Sequence, residues 1–172
     1  GDDITIENLL THTSGIFEYL QSKEYAKENF VKPISIDTLI SFFKTKKRQF
    51  KSGEEFSYTN SGYILLAFII EKITEKKYEQ VVHDIIFEPL QMTHSGFDLR
   101  NLNDTNKAIN YNNINKKRPI SEPVFDSTHA PGCGNIYSTA LDLYKWDRAL
   151  YGNKIVSQSS LQKAYTPYKS TG

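Results

Sequence analysis

Tyr58-Thr59-Asn60 sets a phenol and a carboxamide two residues apart. In an extended stretch, such residues project to the same side of the backbone. An ionised phenol can take the proton of a serine hydroxyl as that hydroxyl attacks a carbonyl. An asparagine side chain offers both a donor and an acceptor to a substrate amide. The neighbouring residues fit such a role. Gly53 permits a turn, and Phe56 and Tyr58 keep the period of two expected of extended chain. Asn60 or Ser61 is the expected cap of the helix that follows. The start of a helix favours negative charge. A phenol beside that start and a lysine ammonium can ionise below its free value of about 10. The tripeptide is weak when taken alone. The chain holds 11 tyrosines, and an asparagine before a helix is an ordinary cap.

The elements that must position this pair are mainly helical. Thr5 caps a short helix carrying Ile6, Leu9 and Leu10. Ser35 precedes Ile36, Leu39, Ile40 and Phe43, one apolar face that ends in the basic stretch Lys44 to Arg48. Residues 64–73 are apolar nearly all round and read as a buried helix. Tyr78, Val81, Val82, Ile85 and Ile86 form another stripe, which Pro89 stops. Thr139 and Asp142 resemble a capping box ahead of Leu143, Trp146 and Leu150. Extended pieces are expected at 94–97 and 135–137. An Asn-rich, apolar-poor run within about 98–120 reads as a surface excursion. The fold class is mainly α with minor β, in a single partial domain over residues 1–172.

Composition narrows the function. The 172 residues are 38% hydrophobic and 24% charged, a globular balance. The net charge of +1 argues against a nucleic-acid or anionic-membrane partner. The basic residues Lys44, Lys46, Lys47 and Arg48 lack the interleaved aromatics of a nucleic-acid patch. The longest apolar run, from Tyr63 to Ile70, is too short to span a bilayer. No signal peptide is visible. The single cysteine, Cys133, excludes an intrachain disulfide. His129 and Cys133 are four apart, but Pro131 and two glycines argue against a helix aligning them as ligands. Cys133 reads as a small residue packed in a tight turn. His12 reads as a local hydrogen-bonding residue at the turn before Gly15.

Four blocks, in order, give the tripeptide its weight. Residues Ile6 to Gly15 resemble the "LLTHTSG" segment of the penicillin-recognising serine hydrolases: class C β-lactamases, D,D-peptidases and related esterases. Gly53 to Tyr63 is similar to their "PGxxFxYSNxGY" segment. Phe87 to Thr93 is similar to "PLGMxxT", and Gly132 to Leu143 to "GGLxST-x-x-DL". Ser52 and Gln91 stand where proline and glycine are usual, and Thr59 fills the middle of the motif. The resemblance implies that Tyr58 moves protons to and from the nucleophile and leaving group. It implies that Asn60 binds the substrate's amide.

The same resemblance sets further expectations. The chain would be the helical region of a β-lactamase-like α/β fold, truncated at both ends. The family's Ser-x-x-Lys nucleophile motif lies upstream of the first block, so it is expected outside these residues. Ser41-x-x-Lys44 and Ser160-x-x-Lys163 match the spacing but fall in the wrong order. Lys169-Ser170-Thr171-Gly172 superficially resembles the family's downstream Lys-Thr-Gly motif, with one residue too many. The intact enzyme would act on β-lactams, D-Ala-D-Ala-like peptides or small esters, without a cofactor, in an extracytoplasmic setting. The chain alone would be inactive and would self-associate through apolar surface left uncovered by truncation. The rival reading is a non-catalytic helical interaction module derived from the same family.

Overall fold

The computed structural model describes residues 3–112, 120–121 and 124–168. Six α-helices dominate them. They are α1 (Ile6–Leu10), α2 (Ile36–Ser41), α3 (Asn60–Thr74), α4 (Tyr78–Val82), α5 (Ala140–Leu150) and α6 (Gln158–Tyr165). A π-helical turn, His83–Phe87, continues α4. Two short strands, β1 (Tyr111–Asn112) and β2 (Ile120–Ser121), pair antiparallel, with Tyr111 opposite Ser121. No helix among the described residues is long and apolar enough to cross a membrane.

Capping chemistry fixes where the helices begin. Thr5 accepts the Asn8 N–H, and the Asn8 side chain returns a bond to the Thr5 N–H, closing a full capping box on α1. Ser35 caps α2 by accepting from Thr38. Thr139 caps α5 by accepting from Asp142. The Asp142 carboxylate, though, does not return to Thr139 as a capping box requires. It is fully buried and accepts the His94 N–H at 2.8 Å, the Ser95 hydroxyl at 3.0 Å and the Lys145 ammonium at 2.7 Å. It thereby fastens the 94–97 segment to α5. That segment and 135–137 meet in one antiparallel bridge, with Gly96 and Tyr137 exchanging main-chain bonds of 3.1 and 2.8 Å.

The main core lies between α1, α2 and α3. Leu9, Ile16, Tyr19, Tyr25, Leu39, Phe42, Phe43 and Ile64 form it, with Leu39 and Ile64 wholly excluded from solvent. A second cluster joins Val82, Phe87, Met92 and Phe97, with Trp146 packed against it from α5. Two expectations change. Helix α2 ends at Ser41, short of the basic stretch. Helix α3 is not buried all round: Ser61, Gly62, Ile64 and Ala67 are buried, while Ile73 is 77% exposed. Apolarity on every face shows that a helix can be covered, not which neighbour covers it. Much of the Asn-rich excursion lies on the surface over 101–111, as its composition requires, and 113–119 lie outside the described residues.

Candidate active site

Helix α3 begins at the motif. Thr59 is its cap, with extended φ and ψ of −146° and 129°, and its hydroxyl accepts the Ser61 N–H. The cap is therefore Thr59 and not Asn60 or Ser61. Asn60 is the first helical residue. The chain leading into it is irregular and extended, and Gly53 turns it with φ of +83°.

Tyr58 and Asn60 do converge. The Tyr58 hydroxyl donates to the Asn60 side-chain oxygen at 3.2 Å, and the tyrosine is 61% exposed. A phenol and a carboxamide thus meet on open surface at the N-terminus of a 15-residue helix, whose dipole favours negative charge there.

Behind this pair, the loop from His12 to Tyr19 holds the motif residue by residue. The Ser57 N–H donates to the His12 carbonyl at 3.0 Å. The Thr59 N–H donates to His12 Nδ1 at 3.3 Å. The Asn60 N–H donates to the Glu18 carboxylate, and the Tyr19 N–H donates to the Ser61 hydroxyl at 2.8 Å. Upstream, the Gly53 N–H donates to the Thr13 carbonyl and the Gln49 N–H to the Gly15 carbonyl, both at 2.8 Å. The first and second family-like blocks are thus two sides of one hydrogen-bonded unit.

Two residues of that unit escape a reading of the sequence alone. Glu18 is buried, and its second oxygen accepts the Leu20 N–H at 3.2 Å. No lysine or arginine among the described residues pairs with it. Its charge is balanced by main-chain N–H groups, one of them the first of α3. His12 is the other. It is not confined to local bonding at its turn. Its ring lies 4.5 Å from the Tyr58 ring and 5.1 Å from the Tyr63 ring, with Phe56 edge-on at 6.0 Å. Burial pushes the imidazole pKa below its ordinary value, against an opposing pull from Glu18.

The remaining candidates fall elsewhere. The Ser41 hydroxyl donates to the Thr38 carbonyl of its own helix at 2.6 Å. Ser160 sits in the first turn of α6, bonded to its cap Ser157. Residues 169–172 lie outside the described residues. His129 is buried between the Tyr25 hydroxyl and the Lys32 carbonyl and does not bond Cys133. Cys133 follows Gly132 in a tight turn whose N–H returns to Ala130.

A sequence model of the family described as "Beta-lactamase" matches residues 1–172. The chain belongs to the beta-lactamase family. That superfamily comprises penicillin-binding proteins and β-lactamases of the serine hydrolase type. The chain is 33% identical over 172 residues to the "Putative penicillin-binding protein PbpX" of Bacillus subtilis, covering 99% of this chain and 41% of that protein. Its fold is similar to that of the octameric penicillin-binding protein homologue from Pyrococcus abyssi. There the TM-score is 0.80 at 29% identity, over 98% of this chain and 40% of that one. It is also similar to a penicillin binding protein from Bacillus halodurans. The TM-score is 0.83 at 24% identity, over 98% of this chain and 52% of that one. The family member described here thus spans about half or less of these relatives. Its mainly helical make-up is that of a helical subdomain of the β-lactamase fold.

Proposed function

We propose that the full-length protein is a serine acyl-transfer hydrolase in which Tyr58 carries protons and Asn60 holds the substrate. The observation behind this reading is the meeting of the Tyr58 hydroxyl and the Asn60 amide, 3.2 Å apart and exposed, at the start of α3. The serine nucleophile, with a lysine one helical turn after it, is supplied by chain outside the 172 residues. Tyr58 as phenolate takes the serine proton as the oxygen attacks the carbonyl carbon. It then returns that proton to the departing nitrogen or oxygen, so an acyl-enzyme forms and the leaving group departs neutral. Water deacylates the enzyme by the reverse proton path. The Asn60 side chain donates to the substrate carbonyl of the neighbouring amide and accepts from its N–H.

The substrates proposed are β-lactams, D-Ala-D-Ala-like peptides or small esters. Relatives named as penicillin-binding proteins support the first class. An extracytoplasmic setting is part of this proposal, and membership of the family supports it. The chemistry needs no cofactor, since serine, lysine and tyrosine supply nucleophile and proton transfer.

Labelling of the full-length protein by a fluorescent penicillin, retained after denaturation, tests the reading. Tyr58→Phe should slow labelling by about 100-fold or more, the usual scale for loss of a general base. Equal labelling of the wild type and Tyr58→Phe would remove Tyr58 from the mechanism. Retained labelling of residues 1–172 alone would put the nucleophile at Ser41 or Ser160 instead.

A further inference from the structure

Tyr58 is largely exposed, and exposed aromatic side chains ordinarily exchange rotamers within nanoseconds. A proton-transfer group gains from the opposite behaviour, because a misplacement of about 1 Å can cost a hundredfold in rate. What restrains Tyr58 is therefore a functional question.

The restraint is His12. Its ring faces the Tyr58 ring at 4.5 Å and 38°, and its other contacts fix it in place. The ring is stacked on Tyr63 at 5.1 Å and 25°, and Phe56 meets it edge-on at 85°. The Tyr63 hydroxyl is itself tied to the Leu10 carbonyl at 3.1 Å, on the helix just before His12. Nδ1 accepts the Thr59 N–H and the His12 carbonyl accepts the Ser57 N–H, so one residue bonds the main chain on both sides of Tyr58. The His12 backbone adopts φ of +56°, a left-handed conformation uncommon outside glycine but enriched in asparagine, aspartate and histidine. The turn is closed by the Thr13 N–H donating to the Asn8 carbonyl at 2.9 Å.

We propose that His12 is a positioning residue, clamping the Tyr58 ring against its own while its Nδ1 and carbonyl hold the backbone on either side. The inference rests on Tyr58 acting in proton transfer, as proposed above. Accepting through Nδ1 requires that nitrogen to be unprotonated, with the proton on Nε2. The titratable groups facing the ring are Glu18 from its own loop, Tyr58 from the motif and Tyr63 from α3.

The test uses the full-length protein with 3-fluorotyrosine at position 58, read by fluorine NMR, and acylation by fluorescent penicillin. His12→Asn is the informative variant, because asparagine tolerates the left-handed backbone and offers an acceptor in place of Nδ1 while deleting the ring. In the wild type, the position-58 resonance should shift as the imidazole protonates, at lower pH than and separately from the phenol's own ionisation. In His12→Asn that lower-pH shift should vanish, leaving only the phenol's own titration, and the resonance should move toward the free-tyrosine value. Acylation should slow by about tenfold or more in rate constant, with the half-saturating penicillin concentration unchanged. In a Tyr58→Phe background, His12→Asn should add nothing, since the two act as a unit. A position-58 resonance that shows no imidazole-linked shift and is unmoved by His12→Asn would overturn the clamp. So would an equal slowing by His12→Asn with and without Tyr58. If Tyr58→Phe alone leaves acylation intact, the proton-transfer reading fails, while the resonance still decides the positioning.

Discussion

The Glu18 carboxylate accepts the main-chain N–H of Asn60, the first residue of α3. A buried acid with no cationic partner is expensive unless N–H groups surround it, and Glu18 has two, from Leu20 and Asn60. The helix dipole adds to their effect. The charge thus fixes the start of α3 relative to the loop that carries His12, and with it the exposed face bearing Tyr58 and Asn60.

Glu18→Gln keeps the shape and one acceptor oxygen but turns an NH2 toward a donor. Loss of the charge and of one acceptor predicts a destabilisation of about 1–3 kcal/mol, the cost of leaving a buried donor unsatisfied. Urea unfolding followed by far-UV circular dichroism should show a lower midpoint with an unchanged slope. Stability equal to wild type would mean that solvent, not Glu18, satisfies the first N–H of α3.

How far the sequence reaches can be read from particular residues. Thr5, Ser35 and Thr139 each cap the helix their positions announce, because a cap is a local interaction over three residues. The Tyr58–Asn60 contact was legible for the same reason. The tilted contact of the His12 ring with Tyr58 spans 46 residues of chain, and no periodicity encodes it. The Asp142 carboxylate shows how a local rule yields to a tertiary one. Its spacing from Thr139 predicts a reciprocal cap, yet the buried oxygens serve His94, Ser95 and Lys145 instead. Thr59 caps α3 through its hydroxyl, which accepts the Ser61 N–H, and the Asn60 side chain meets Tyr58 instead.

Gly15 and Gly53 both have positive φ, +69° and +83°, yet they should respond differently to alanine. A Cβ on Gly15 would lie 2.2 Å from the Phe50 carbonyl oxygen, against backbone that cannot turn aside. A Cβ on Gly53 would meet only the Asn8 amide, at 4.0 Å. Gly53→Ala should therefore cost about 1 kcal/mol, the left-handed penalty alone. Gly15→Ala adds the collision and should cost well over about 3 kcal/mol, enough to unfold a marginal domain. Thermal unfolding of the two variants side by side checks the order. A Gly15→Ala protein as stable as Gly53→Ala would show that the Gly15–Phe50 approach is loose.

Cys133 should be inert in the folded protein. Burial pushes its thiol up to about 12. The thiolate is the reactive species, and little of it exists at pH 8. Iodoacetamide at that pH should leave the native protein unmodified and alkylate it quickly in urea. Native modification at the rate of a free thiol would place Cys133 in solvent and open the Gly132 turn.

His12 should also leave a mark on stability against pH. Its folded pKa is depressed below the ordinary value of about 6.5, chiefly by burial. Between the folded and unfolded values, the unfolded chain binds more protons, so stability rises with pH across that window. The contribution is fully present above about pH 6.5 and is lost as pH falls through the depressed folded pKa. The structural cause is burial of the ring, which makes its protonation costly in the folded protein. His12→Asn carries no titrating group at this position, so its stability should be flatter than that of the wild type as pH falls below about 6.5. Urea midpoints measured across that range for both proteins give the comparison. Parallel curves would assign the wild-type slope to another group.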